Sequence, residues 1–331
     1  MDDVPAFTPV NLITGFLGSG KTTLLQRLLD DPALADTAVL INEFGEVGLD
    51  HHLLDRIDDT MVLLPSGCLC CTIRGELSAA IRDLHGRRER GEVPSFRRLA
   101  VESTGLADPF PILSTVQADP VLRHHFRWGN VVTTIDAVNG GSQLDRRAES
   151  VKQAAVADRL VLTKSDLVTA AQAEALVARL RAINPSAPLV RAAEEPIDAD
   201  ALLAHDLFAT ATRAAAARRW FVEEPVQPAH GAGVHAFALA LDEAVDWTRF
   251  GLWLTMLLNR HGEKVLRVKG MLDVEGSATP VGIHGVQHLV HPPVHMAAWP
   301  DDERRSRLVF IVDGLERAAI EDSLRAFLRS E

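Results

Sequence analysis

Hydrophobic residues recur along the first two-thirds of the chain in short uninterrupted runs, separated by stretches in which they recur every three or four positions. Uninterrupted runs are typical of strands buried on both faces of a sheet, and the wider spacing is typical of helices. Strands are predicted at residues 10–15, 38–44, 61–66, 97–104, 130–138 and 158–166. Their alternation with helices, such as 21–29 and 169–183, predicts an α/β domain with a doubly wound, mainly parallel sheet.

The pattern changes around residues 205–232, where an Ala/Arg-rich stretch leads into several prolines and glycines. Such composition is typical of a domain boundary, and we predict domains at 1–228 and 229–331. The second is expected to be a smaller α+β domain. Its predicted elements are strand 234–241, helix 246–259, strands 264–273, 281–290 and 307–312, and helix 315–328.

Charge and composition exclude several classes of protein. The 331 residues include 34 Lys and Arg against 45 Asp and Glu, a net charge of −11, which disfavours nucleic acid as a partner. The first ten residues have no basic region and no long apolar stretch, and no apolar run approaches the ~20 residues of a membrane span. We therefore predict a cytoplasmic protein without membrane attachment, in which thiols stay reduced.

The strongest motif is residues 15–22, GFLGSGKT, which fits the phosphate-loop pattern G-x-x-x-x-G-K-[ST] in full. It follows a predicted strand and opens a predicted helix, so backbone N–H groups converge on phosphate oxygens at a helix N-terminus. Lys21 is expected to reach the β- and γ-phosphates, and the Thr22 hydroxyl to bind Mg²⁺. The chain is thus predicted to contain a P-loop NTPase domain. The nucleotide-binding residues predicted from this loop are Gly15, Gly18, Ser19, Gly20, Lys21, Thr22 and Thr23.

A second motif, Thr163-Lys164-Ser165-Asp166, ends the last of the strands predicted in this domain. GTPases carry N-K-x-D there: the Asp accepts two N–H bonds that guanine offers and adenine does not, and the Lys stem lies along the ring. Thr163 replaces the Asn, and its hydroxyl can still brace the loop. We predict that Thr163, Lys164 and Asp166 bind a guanine nucleotide, and the substitution leaves open how strictly GTP is preferred over ATP.

A third motif, Glu102-Ser103-Thr104-Gly105, ends another apolar strand, where small GTPases carry D-x-x-G to hold Mg²⁺ through water and to sense the γ-phosphate. With GFLGSGKTT (15–23), INEFGEVGLD (41–50), GCLCC (67–71) and TKSD (163–166), the chain resembles the CobW family of P-loop GTPases. VGIHGVQHLVHPP (281–293) resembles that family's C-terminal domain. The resemblance implies a GTP- and Mg²⁺-dependent metallochaperone that supplies zinc or cobalt to a client metalloenzyme, with Lys21, Thr22 and Glu102 as catalytic residues.

All three cysteines, Cys68, Cys70 and Cys71, lie within four positions. An odd number so close together is no disulfide framework, whereas thiolates suit Zn²⁺, Co²⁺ or Cu⁺ and could leave an exchangeable position on the ion. Inert thiols or a redox switch are the alternatives, but neither explains the clustering beside a P-loop. The resemblance further implies that Glu43 and Glu46 are candidate metal ligands, against the alternative of a solvated loop.

Histidines offer weaker candidates. His51 and His52 follow the acidic segment 41–50, and family members can recruit a histidine in the region of His124 and His125. A further group is expected to be mostly structural, because Gly285 and two prolines break any helix and the residues would not share one strand face. This group is His284, His288, His291 and His295.

The short chain distance between the phosphate loop, segment 42–50 and segment 66–72 suggests that nucleotide and metal binding are coupled, with hydrolysis releasing the metal. The C-terminal domain is expected to dock the client or a second subunit, as in a possible homodimer. Three alternatives stay open: an ATP-dependent small-molecule kinase, a nucleotide-regulated metal buffer or sensor, and an accessory role for cobalamin or nitrile-hydratase enzymes.

Overall fold

The computed structural model describes residues 7–41, 61–63, 71–203 and 233–329. The chain divides into two compact units. Among the described residues, the first contains 7–41, 61–63, 71–153, 157–173 and 189–203, and the second contains 154–156, 174–188 and 233–329. The predicted boundary at 228/229 lies outside the described residues and stays a prediction.

The first unit is built around a seven-stranded sheet in the order β3-β2-β4-β1-β5-β6-β7, and each neighbouring pair is parallel. The strands are β1 Thr8–Gly15, β2 Thr37–Ile41, β3 Met61–Leu63, β4 Arg98–Glu102, β5 Phe126–Asp136, β6 Arg159–Thr163 and β7 Leu189–Arg191. The helices along this stretch of chain are α1 Lys21–Leu29, α2 Cys71–Glu89, α3 Pro109–Ala118, α4 Leu122–His125, α5 Gly140–Arg146, α6 Ala148–Val156, α7 Ala170–Ile183 and α8 Ala199–Leu202. The predicted P-loop-type, doubly wound parallel sheet is confirmed.

Helix α1 shows why these segments pack as they do. Leu24, Leu25 and Leu28 fall on one face of the helix and are buried against the sheet. The sheet side of this core includes Ile13 of β1 and Val132 of β5, and every residue of β1 is buried. Central strands covered on both faces lose their polar alternation, which is why the apolar runs in the sequence predicted them.

The second unit contains a six-stranded sheet, in which β11-β10-β9-β13-β8 lie in that order and β12 pairs with β10. Its strand pairs are antiparallel. The elements are β8 Val234–Leu241, α9 Trp247–His261, β9 Val265–Leu272, β10 Val281–Val286, β11 Leu289–Val290, β12 Val294–His295, β13 Ser306–Asp313 and α10 Arg317–Arg329. Helices and antiparallel strands share one hydrophobic core, so the predicted α+β C-terminal domain is confirmed.

The helical spacing of Trp247, Phe250 and Trp253 predicts that α9 places all three aromatic residues in this core. Phe250 and Trp253 are buried, and the Trp253 indole N–H donates a hydrogen bond of 3.0 Å to Ser323 of α10. Trp247 is different: it is the first helical residue and is 40% exposed. The expectation was right for Phe250 and Trp253 and wrong for Trp247.

The predicted strand 281–290 is in fact a hairpin of β10 and β11. The break falls at Gln287, whose φ of 51° lies in the left-handed region that extended strands do not use. The predicted ends of the second and third strands, 42–44 and 64–66, lie outside the described residues. No helix in the described part of the chain is long and apolar enough to cross a membrane.

Candidate nucleotide-binding site

The carboxyl ends of β4, β1, β5 and β6 lie side by side at one edge of the sheet, because these four strands are consecutive neighbours. Ligands of open parallel sheets bind outside this edge. The three motifs predicted from the sequence follow β1, β4 and β6 and therefore meet there. The structure thus brings together the phosphate loop, Glu102 and the TKSD loop.

The phosphate loop turns directly from β1 into α1. Gly18 and Gly20 have φ values of 71° and 87°, a conformation that glycine adopts without steric cost. Ser19 closes the turn by donating its N–H to the Phe16 carbonyl at 3.1 Å, and its hydroxyl lies 2.6 Å from that of Thr134 on β5. The loop is thus tied to the neighbouring strand by a contact between protein side chains.

Lys21 is only 8% exposed, and its ammonium is held by the loop itself. Its Nζ donates to the carbonyls of Gly15 at 3.1 Å and Phe16 at 3.3 Å. Carbonyl oxygens are neutral, whereas a phosphate oxygen would add an opposite charge on the acceptor side of the bond. The lysine is therefore placed to exchange carbonyl partners for phosphate.

Thr22 and Glu102 are brought together as the motifs predicted. The Thr22 hydroxyl donates to Glu102 Oε1 at 2.7 Å, and the Glu102 side chain is buried at the end of β4. Mg²⁺ prefers oxygen ligands and usually takes only a few of them from the protein, and a hydroxyl beside a carboxylate supplies two. The residues present therefore fit a magnesium ion at this position.

Gly105 packs the third motif against the phosphate loop. A Cβ atom on Gly105 would lie 2.7 Å from Leu17 Cα and 2.8 Å from Leu17 Cδ2. Both distances are shorter than any ordinary carbon contact, so only glycine fits between the two loops. The third motif thus lies directly against the phosphate loop.

Thr163 replaces the usual Asn, and its hydroxyl links the TKSD loop to the phosphate loop and to β5. It donates to the Ser19 carbonyl at 2.8 Å and approaches the Ile135 carbonyl at 3.2 Å. Lys164 follows in the left-handed conformation, with φ of 57°, and its Nζ donates to the Gly18 carbonyl at 2.7 Å. Asp166 is exposed in the short 3₁₀ turn Ser165–Leu167, where its carboxylate is open to a ligand.

Replacing Thr163 with valine tests this brace, because the two side chains have the same shape and only the hydroxyl is lost. The Ser19 carbonyl would lose its donor, and we expect GDP to bind about tenfold more weakly, the cost of about one hydrogen bond. Thr163→Asn, which restores the usual residue, serves as the control and should bind GDP at least as well as the unmodified protein. Fluorescence titration with a labelled GDP measures both; unchanged affinity in the valine variant would show that the brace is dispensable.

Two features of the site were not found from the sequence. Asp136 ends β5 and contacts Lys164, and Ala192 follows β7 beside the TKSD loop, with its N–H donating to the Leu162 carbonyl at 2.9 Å. Either could have been suspected only from strand order, because each stands at a strand end but belongs to none of the motifs.

The predicted metal site lies largely outside the described residues. Cys68, Cys70, Glu43 and Glu46 fall there, as do His51 and His52, and Cys71 begins α2. Within the described ranges, no group of three or more His, Cys, Asp and Glu side chains could hold a metal ion.

Two pairs of described histidines have their rings in contact. The His125 ring lies 4.4 Å from that of His85 on α2. His284 is buried and stacks on His291 with ring centroids 4.4 Å apart, and burial holds its pKa well below the usual range, with His291 and nearby cations acting in the same direction. These contacts agree with the expected structural role of the C-terminal histidines.

Comparison with known proteins agrees with this geometry. The profile of the CobW/HypB/UreG nucleotide-binding domain matches residues 9–191, and that of the cobalamin synthesis protein cobW C-terminal domain matches 234–328. The zinc chaperone YjiA of Escherichia coli (strain K12) is 34% identical over 304 residues, 91% of this chain and 93% of YjiA. The zinc chaperone CobW of Pseudomonas aeruginosa is 29% identical over 366 aligned residues, 97% of this chain and 91% of that protein.

A solved structure shows the same likeness along the chain. The Zn(II)-bound YjiA GTPase from E. coli, 31% identical, superposes with a TM-score of 0.70 and covers 98% of this chain and 99% of that one. The profile match spans more than half of the chain and includes all three motifs that the structure brings together. This chain therefore belongs to the CobW/HypB/UreG family of nucleotide-binding proteins.

Proposed function

We propose that this chain is a GTP-hydrolysing metallochaperone that carries Zn²⁺ on Cys68, Cys70 and Cys71 and delivers it to a client metalloprotein. The observation that carries the proposal is the meeting of Lys21, the Thr22–Glu102 pair and the TKSD loop at one sheet edge. Relatives that match nearly the whole chain are named zinc chaperones. Co²⁺ is the second candidate cargo, because thiolates do not distinguish strongly between these two ions.

In this proposal each described motif has one task. Lys21 turns from its loop carbonyls to the β- and γ-phosphates, and Asp166 accepts hydrogen bonds from the guanine edge. Thr22 and Glu102 hold Mg²⁺, which when bound neutralises charge on the phosphate oxygens. Water attacks the γ-phosphorus, and GDP and phosphate leave.

Intrinsic hydrolysis is expected to be slow. Fast GTPases position the attacking water with a Gln or stabilise the transition state with an Arg. Segments 15–23, 102–105 and 163–166 contain neither residue type. A slow rate suits a chaperone, because the GTP-bound state then persists long enough to meet a client.

Short chain distance supports coupling between the nucleotide and the metal. Segment 42–50 follows β2, which pairs with β4 beside Glu102, and Cys71 begins α2. GTP would order segment 42–50 and complete the metal shell, and loss of the γ-phosphate would loosen it. Such coupling is reciprocal: metal must tighten GTP binding by the same factor that GTP tightens metal binding.

The test is a titration of the reduced full-length protein with Zn²⁺ against a chromophoric chelator, in Mg²⁺ with a non-hydrolysable GTP analogue, with GDP, or without nucleotide. We expect at least about tenfold tighter binding with the analogue, within the usual range of allosteric coupling. Co²⁺ and the ATP analogue form parallel arms. Equal zinc affinity under all three conditions would remove the coupled-delivery scheme.

The matched variant is Cys70→Ser/Cys71→Ser, which keeps size and polarity and removes two thiolates. The stoichiometry must be read as well as the affinity, because a Zn(II)-bound structure also exists for a YjiA triple mutant in which one glutamate and two cysteines are alanine. We expect the nucleotide-sensitive zinc to disappear and any nucleotide-insensitive zinc to remain. A double variant that keeps the nucleotide-sensitive ion would place the cargo elsewhere.

A further inference from the structure

Asp136, the last residue of β5, belongs to none of the three motifs, yet its carboxylate is placed among them. It is 1% exposed and accepts four hydrogen bonds. Oδ1 accepts from the N–H groups of Val138 at 2.8 Å and Asn139 at 3.3 Å. Oδ2 accepts from the Asn139 amide at 2.9 Å and from Lys164 Nζ at 2.9 Å.

Through this contact Lys164 connects three segments of the site. Its backbone follows β6, its ammonium reaches the Gly18 carbonyl of the phosphate loop at 2.7 Å, and the same ammonium reaches Asp136 at the end of β5. Both bonds are charge-assisted because the ammonium donor is ionised, but of the two acceptors only Asp136 carries an opposite charge. A lysine stem left unanchored would sample many rotamers, and ordering it when the base binds would cost conformational entropy.

We propose that Asp136 is a positioning residue for guanine recognition: it anchors Lys164 so that the stem is already in place beside the base and the base-reading loop stays fastened to the phosphate loop. The inference rests on the proposed binding of a guanine nucleotide and deepens it. Asp136 does not touch the base in this scheme. It acts through Lys164, and through the strand-end contact in which the Ala137 N–H donates to the Thr163 carbonyl at 2.9 Å.

The electrostatics of the carboxylate are consistent with such an anchor. Burial by itself would raise the pKa of Asp136, but the hydrogen bonds from Lys164, the Asn139 amide and the two backbone N–H groups outweigh burial and lower it. The carboxylate therefore stays ionised at neutral pH. A neutral isostere would lose the attraction while filling the same space.

The test replaces Asp136 with Asn in the full-length protein and measures GDP and ADP affinity in Mg²⁺. The amide keeps an oxygen for the Val138 N–H but turns an NH₂ toward the Lys164 ammonium, so donor faces donor. We expect GDP to bind about tenfold more weakly, with a smaller change for ADP, so that the GDP-to-ADP preference falls. A merely structural role would weaken both nucleotides equally and leave their ratio unchanged, which would overturn the inference.

A second variant distinguishes loss of the Lys164 anchor from misfolding of the Asp136→Asn protein. Lys164→Met keeps the apolar stem of a half-exposed side chain and removes the ammonium, and we expect the same loss of preference. In the double variant, Asp136→Asn should add nothing to Lys164→Met, because each substitution alone already removes the contact between Asp136 and Lys164. Additive effects, or an unchanged preference in Lys164→Met, would overturn the role of the anchor.

The matched control is Asp273→Asn in the second unit. Asp273 is also a buried carboxylate just after a strand, and Arg304 Nε donates to it at 3.1 Å. We expect a similar loss of thermal stability without any change in nucleotide preference. If the unmodified protein itself shows no preference for GDP over ADP, the proposed function fails independently of Asp136.

Discussion

Lys21→Ala is expected to slow GTP hydrolysis by about 10³-fold, the largest catalytic effect of any single substitution in this site. The ammonium is buried at the loop and partnered by carbonyls of Gly15 and Phe16, so the loop is shaped around a cation that is then available to phosphate. Removing the ammonium takes away a positive charge whose attraction for the phosphate grows as negative charge develops in the transition state. Single-turnover phosphate release with enzyme in excess over GTP measures the chemical step directly.

The control for this substitution is Lys152→Ala. Lys152 also forms an ion pair, with Asp108 at 3.0 Å, but it lies on α6 and is more than one-third exposed. We expect its hydrolysis rate to match that of the unmodified protein, since exposed pairs contribute little. A Lys21→Ala protein that hydrolyses GTP at the unmodified rate would show that the phosphate loop is not the site of turnover.

The phosphate loop could be predicted in full because all its functional groups lie in one contiguous segment. Eight residues specify the turn, the cation and the hydroxyl, and the flanking apolar strand and amphipathic helix supply the context. Thr163 shows a different case. Its place after a strand predicted the role, and the structure then showed why Thr suffices, since one hydroxyl reaches the Ser19 carbonyl.

Asp136 and Thr134 could not be predicted in the same way, because their roles depend on strand order. Thr134 faces Gly15 only because β5 pairs with β1, and Asp136 faces Thr163 only because β5 pairs with β6. A single sequence indicates that these segments are strands but not which strands are neighbours. Contacts across strands therefore appear only when the sheet is assembled.

The mistaken strand at 281–290 has a local cause. Apolar residues continue through the segment on both sides of Gln287, so the pattern reads as one strand. Gln287 is a non-glycine residue with positive φ, an uncommon choice that carries no warning in the sequence. The strand β7 was not predicted for the opposite reason. It has three residues and is only partly buried, so the sequence shows no clear run of apolar residues there.

Gly15→Ala is expected to lower the free energy of unfolding by about 4 kcal/mol, from overpacking and from an unfavourable backbone conformation together. Gly15 has φ of 138°, and a Cβ there would collide with the backbone carbonyl and hydroxyl of Thr134 and approach the Ser19 hydroxyl at 2.7 Å. The backbone atom cannot move without displacing β5. Because β1 is the central strand and β5 is its hydrogen-bonded neighbour, the loss should appear as faster hydrogen exchange in both strands, measured by mass spectrometry.

Gly18→Ala is the matched comparison, because it separates the two causes. Gly18 has φ of 71°, but no atom lies within 4 Å of the position its Cβ would take. Only the backbone term applies, so we expect a loss of about 1–2 kcal/mol and little change in exchange of β5. The difference between the two variants measures how rigidly β5 supports the phosphate loop. If both variants exchange alike, Thr134 yields to the added methyl group, and the phosphate loop is held by its own turn rather than by the neighbouring strand.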